Sequence, residues 1–137
     1  MKIMFACHGN ICRSPMAEYI LKSMLDNNKY IISSSALSNE EYNNDMYPPV
    51  KKILDKNNIK YSTHKAHKMT QEEYDNYDLI VVMEKYQIEK VYNIYGKSNK
   101  VITLLDEDIE DPWYTNNFDK VYNQIYYGCE KLMKELQ

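Results

Sequence analysis

Ile3-Met4-Phe5-Ala6-Cys7-His8-Gly9-Asn10-Ile11-Cys12-Arg13-Ser14-Pro15 is the stretch from which the rest of the chain can be read. Ile3 to Ala6 is a continuous apolar run, the pattern of a strand buried on both faces. Ser14 suits a helix N-cap and Pro15 the first helical position, so a helix is expected to follow. Between strand and helix, five residues separate Cys7 from Arg13. Their backbone N–H groups can curl around a tetrahedral anion, and the helix N-terminus adds partial positive charge. The Arg13 guanidinium can grip two oxygens at once. A sulfur lies at the bottom of such a cradle, and the same donors favour its thiolate. The loop reads as a nucleophile, Cys7, aimed at phosphate.

Composition sharpens this. Of seventeen Lys and Arg residues, Arg13 is the single Arg, and Gly9 is one of three glycines. An Arg kept where the chain otherwise uses Lys points to a need for planar, bidentate geometry.

Outward from this loop, Ala17, Ile20, Leu21 and Met24 follow at helical spacing up to Asn27-Asn28, and Tyr30 to Ser34 reads as a second strand. Strand, helix, strand in so short a span is a βαβ unit, which implies a parallel sheet. Residues 36–47 read as an irregular loop. Pro48-Pro49 opens a helix with Val50, Ile53 and Leu54 inward, closing at Asn57-Asn58. Thr70 and Glu73 have capping-box spacing. Leu79 to Met83 is the strongest strand signal; Ile88, Val91, Tyr92 and Tyr95 then share a helical face, with Gly96 as C-cap. Val101 to Leu105 reads as a fourth strand, and an acidic loop from Asp106 to Asp111 leads to Pro112-Trp113-Tyr114. Phe118, Val121, Tyr122, Ile125, Cys129, Leu132 and Leu136 form the stripe of a long last helix. The expected fold is α/β: an open, mostly parallel four-stranded sheet with helices on both faces, a Rossmann-like three-layer arrangement. Ligands of such sheets bind beyond the carboxyl ends of the strands, where the loops carrying Cys7, Ala36 and Asp111 should meet.

The 137 residues are expected to form one domain, 1–137. A net charge of −3 gives no case for nucleic acid or an anionic membrane as partner. There is no signal-peptide pattern and no apolar stretch of spanning length. Three cysteines without disulfide-framework spacing fit a reducing, cytoplasmic setting. Cys7, His8 and Cys12 lack a second cluster to complete a zinc site, so neither metal nor cofactor is expected.

Displacing an alkoxide or phenoxide from phosphorus needs a proton donor. Asp111 precedes Pro112, which favours extended backbone and holds the carboxyl outward from a stiff turn. Trp113 and Tyr114 beside it can wall a pocket for an aromatic leaving group. Cys129 lies on an apolar stripe and reads as core. Cys12 has two readings, packing beneath the loop or redox partner of Cys7. His64 and His67 read as structural hydrogen-bonders or surface groups rather than catalysts.

With these pieces placed, the chain resembles the low-molecular-weight protein tyrosine phosphatases. The matching segments are Cys7 to Pro15, Ser34-Ser35-Ala36, His64-Lys65-Ala66 and Asp111-Pro112-Trp113, in the family's order. The resemblance implies hydrolysis of phosphotyrosine in protein substrates. Cys7 would form a phosphocysteine, and Arg13 with the loop amides of His8, Gly9, Asn10, Ile11, Cys12, Arg13 and Ser14 would hold phosphate or another oxyanion. Asp111 would protonate the leaving group and then activate water. Ser14 would stabilise the Cys7 thiolate, while Asn10, Ser35 and His64 would brace the loop. Ile11 would join Trp113 and Tyr114 in the pocket wall, and a monomer is expected. Two departures stand out. The Trp usual in the loop after the second strand is missing from Asn39-Glu40-Glu41-Tyr42-Asn43, so Tyr42 is the candidate substitute. The Asp-Pro-Arg usual at the next helix start is Pro48-Pro49-Val50.

Alternatives remain within reach of the same loop. An arginine phosphatase of the family tends to carry Thr where this chain has Ile11. Arsenate reduction would need relay cysteines between Arg13 and Cys129, and none is present. A phosphocarrier would need neither Arg13 nor Asp111-Pro112, and a silent phosphotyrosine-binding module would not need Cys7, Arg13 and Asp111 together.

Overall fold

The computed structural model describes residues 1–137. Strand β1 (Lys2–Cys7) lies inside a four-stranded sheet, between β2 (Ile31–Ala36) and β3 (Leu79–Val82), with β4 (Val101–Thr103) beyond β3. All three pairings are parallel, and Phe5 stands opposite both Ser34 and Val81. The helices are α1 (Arg13–Met24), α2 (Pro48–Lys56), α3 (Gln71–Asn76), α4 (Lys85–Tyr95), α5 (Pro112–Thr115) and α6 (Phe118–Leu136).

The apolar run at the start of the chain divides between two cores because successive strand side chains point to opposite faces. Ile3 and Phe5 pack with Ile20 of α1, Leu54 of α2 and Ile125 of α6. Met4 and Ala6 join Ile80 and Val82 of β3, Tyr74 of α3 and Val91 of α4. The result is the expected three-layer α/β architecture. No helix is long and apolar enough to cross a membrane.

Element ends differ from the sequence reading in ways that matter for the site. Ala36 belongs to β2 rather than to the loop after it, and pairs with Cys7. That extends the sheet to the foot of the Cys7 loop. Helix α1 begins before the residue expected to cap it: Cys12 occupies the N-cap and no side chain caps the helix. Ser14 lies inside the first turn, its hydroxyl turned to Cys7. Beyond β3, the Met83 N–H leaves the ladder and donates to Gln87 Oε1. The Thr70–Glu73 capping box is present with both of its bonds, and Gly96 ends α4 at φ +123°, a conformation open to glycine.

Candidate active site

The loop after β1 is built around Asn10. Its backbone is left-handed, at φ +62°, which Asn tolerates better than most residues. The reversal engages the Asn10 side chain and its carbonyl. Nδ2 donates to Ser14 Oγ at 2.8 Å and to Ser34 Oγ at 3.0 Å. The Asn10 carbonyl accepts from His64 Nε2 at 2.7 Å, and Oδ1 accepts weakly from the His67 N–H at 3.4 Å. Ser34 Oγ donates in turn to Glu18 Oε1 at 2.6 Å, and Lys22 donates to the other carboxylate oxygen at 2.6 Å.

Ser35 is expected to brace the loop. It does so through its carbonyl, which accepts from Ser14 Oγ at 3.4 Å, while its own hydroxyl is buried without a partner and Ser34 supplies the hydroxyl bound to Asn10. The reason is strand parity, because neighbouring residues of β2 face opposite sides of the sheet. Ser14 Oγ lies 3.0 Å from Cys7 Sγ. Having accepted from Asn10, this hydroxyl has one proton left, and the Cys7 sulfur is its nearer acceptor.

Arg13 is 2% exposed and reaches across the end of the sheet. One terminal nitrogen donates to the Ile109 carbonyl at 2.8 Å and pairs with Glu84 at 3.1 Å; the other lies 3.6 Å from Asp111 Oδ2. Burial alone would ease its deprotonation, but Cys7, Asp111 and Glu84 together outweigh that and hold the proton more firmly than usual. Glu84 is a site residue that sequence reasoning missed. It precedes α4, and only the pairing of β3 beside β1 brings it to Arg13. Cys12 is free and buried. Its thiol is pushed well above the ordinary range, first by burial and then by Cys7 and Asp111.

Asp111 caps the short helix α5, its Oδ1 accepting the Trp113 N–H at 3.1 Å. Together the Cys7 loop, Glu40-Glu41 and the Asp111–Tyr114 turn enclose a pocket of about 240 Å³. Cys7, Ile11, Cys12, Arg13, Trp113 and Tyr114 line it, as do His8 and Gly9. Tyr42 does not: it is 67% exposed, and the expected substitute for the missing Trp is not a wall residue. Glu40 and Glu41 occupy that rim. Glu40 binds His8 Nε2 at 2.8 Å, while Ser38 Oγ donates to the His8 carbonyl. A Cβ on Gly9 would sit 3.3 Å from Glu41 Cγ, so the glycine lets this carboxylate side chain lie close over the loop.

The family model for low molecular weight phosphotyrosine protein phosphatases matches residues 2–137. The chain belongs to that family. As an enzyme it is a phosphatase, and relatives agree along its length. It is 33% identical to the low molecular weight protein-tyrosine-phosphatase PtpA of Staphylococcus aureus, over 96% of this chain and 90% of that one. Its structure resembles that of SP-PTP from Streptococcus pyogenes with a TM-score of 0.94 and 30% identity, covering 99% and 93% of the two chains. The tyrosine phosphatase Wzb from Escherichia coli K30, solved in complex with sulphate, gives a TM-score of 0.90 at 26% identity, covering 99% of this phosphatase and 98% of Wzb.

Proposed function

We propose that this phosphatase hydrolyses phosphotyrosine in proteins through a phosphocysteine on Cys7. The observation that carries the reading is convergence: a thiol and a buried Arg from one loop and a carboxyl from a remote turn line one pocket, with Trp113 and Tyr114 on its side. In the first step the Cys7 thiolate attacks phosphorus, the bond to the tyrosine oxygen breaks, and Asp111 gives that oxygen its proton. Arg13 and the N–H groups of residues 8–14 hold the non-bridging oxygens while charge redistributes. The Ser14 hydroxyl, 3.0 Å from Cys7 Sγ, stabilises the thiolate before attack and the departing sulfur after it. In the second step a water gives its proton to Asp111 and attacks phosphorus; the S–P bond breaks, and phosphate and the thiolate are released. The sulphate held by the Escherichia coli relative is the same tetrahedral dianion chemistry.

Release of phosphate from phosphotyrosyl and phosphoarginyl peptides tests the reading. Turnover should favour phosphotyrosine and vanish in Cys7→Ser. Asp111→Asn should lose roughly 10²–10⁴-fold on phosphotyrosine, the usual contribution of a general acid. Faster release from phosphoarginine would assign the second substrate class instead.

A further inference from the structure

We propose that Tyr47 is a positioning residue for the proton donor: it joins the phosphate-holding loop to the turn that carries Asp111. This rests on the assignment of Asp111 as general acid. Tyr47 immediately precedes Pro48, and its extended backbone (φ −57°, ψ 132°) is what a following proline demands. It stands at the N-cap of α2, yet its side chain caps nothing there. Both ends of the residue are used elsewhere. The Tyr47 N–H donates to the Ile11 carbonyl at 3.0 Å, inside the loop between Cys7 and Arg13. The Tyr47 ring packs on Trp113, with centroids 4.6 Å apart and planes tilted by 51°, and lies 6.0 Å from Phe118 at the start of α6.

Trp113 and Asp111 are tied to each other. The Trp113 N–H is bound by Asp111 Oδ1, and the Asp111 carbonyl accepts from Tyr114 and Thr115. Helix α5 has only four residues, too few to fix its own direction. Apart from Arg13, 3.6 Å from Asp111 Oδ2, the aim of the carboxyl therefore depends on what holds Trp113, and the aromatic ring packed against it belongs to Tyr47. A residue tied through its backbone N–H to the loop and through its ring to the turn that carries Asp111 keeps nucleophile and acid in register.

A set of aryl phosphates with graded leaving groups separates this from a general packing role. A poor leaving group needs its proton, whereas dinitrophenolate leaves well without one. Tyr47→Ala should lose roughly tenfold in kcat/KM on phenyl phosphate, the scale of a modest misplacement of a catalytic group. It should stay near wild type on 2,4-dinitrophenyl phosphate. Tyr47→Phe should restore phenyl phosphate turnover, because the contact is ring on ring. Competitive inhibition by inorganic phosphate should be unchanged in both, since the backbone N–H to Ile11 is retained. If Tyr47→Ala does not fold, Tyr47→Leu keeps apolar bulk without a ring and should show the same selective loss, to a smaller degree. Equal losses on both esters, or weakened phosphate inhibition, would overturn the proposal. Asp111→Asn measured alongside separates the two layers. A leaving-group effect there but none at Tyr47 refutes the Tyr47 inference alone, and none at Asp111 refutes the acid assignment beneath it.

Discussion

The Cys7 loop and the Asp111 turn meet in one pocket but are held by opposite means. The loop is buried and cross-braced: Asn10, Arg13, Ser14 and Ser34 are enclosed and tied by hydrogen bonds to α1, β2 and the His64–His67 segment. The turn lies near the surface on a single helical turn, with Trp113 and Tyr114 48% and 80% exposed. An oxyanion site gains from donors that need no rearrangement when charge develops, since reorganisation then costs nothing at the transition state. A proton donor must meet leaving groups of different shapes and then a water, so a few adjustable contacts suffice. The difference teaches where substitutions should hurt everything and where they should hurt selectively.

The sharpest way to break the comparison is Arg13→Lys. It keeps the charge but loses the fork that engages Ile109 and Glu84 and, on the proposed mechanism, phosphate; turnover on every ester should fall by roughly 10³-fold. Near-normal rates would mean that point charge suffices and that planar geometry is not what the loop supplies. Next is Asn10, where two substitutions separate its contributions. Asn10→Gly keeps the left-handed backbone and removes the amide, leaving Ser14, Ser34 and the His67 N–H short of partners; it should cost about 1–3 kcal/mol of stability. Asn10→Ala adds the penalty of a Cβ at positive φ, about 1–2 kcal/mol more. Melting curves read both, and equal losses would show that backbone strain is unimportant there.

The smallest effect belongs to the turn. Lys120, Thr115 and Asn117 hold the Glu110 carboxyl down at about 2, against an ordinary 4.5. A carboxylate lowered in the folded state stabilises it above its unfolded value, and that gain is lost as pH falls through the window from about 4.5 to about 2. Glu110→Gln should therefore lower the melting temperature slightly at neutral pH and not at all near pH 2. Because the carboxyl is solvated, salt should shrink the difference further. A large loss at neutral pH would mean that the turn is braced as firmly as the loop.

What could be read from the sequence follows the same division. Cys7 to Arg13 is legible because its chemistry is contained in one contiguous segment, and Thr70 with Glu73 because a capping box is a local pattern. The apolar strands declare themselves by continuity. Ser34 was not distinguishable from Ser35, since three consecutive serines erase the alternation that tells one face of β2 from the other. Glu84 and Glu18 look like any surface carboxylates until sheet order and helix packing bring them inward. Cys12 stands at the cap position expected of Ser14, whose hydroxyl is engaged with Cys7 and Asn10 instead. Tyr47 gave no signal beyond preceding a proline; its partner Trp113 lies in a different part of the chain.

The anchors of Asn10 and Arg13 also bear on how the chain holds together. His64 is 54 residues from Asn10 and Ile109 is 96 from Arg13, so the cradle exists only when remote segments have docked. A disordered chain retains no comparable grip on a tetrahedral anion. On the proposed mechanism phosphate would be a folding ligand as well as a product: at a hundred times its dissociation constant it should add about 2.7 kcal/mol to the native state by mass action alone. The end product of turnover, accumulating around the enzyme, would then slow catalysis and protect the fold at the same time.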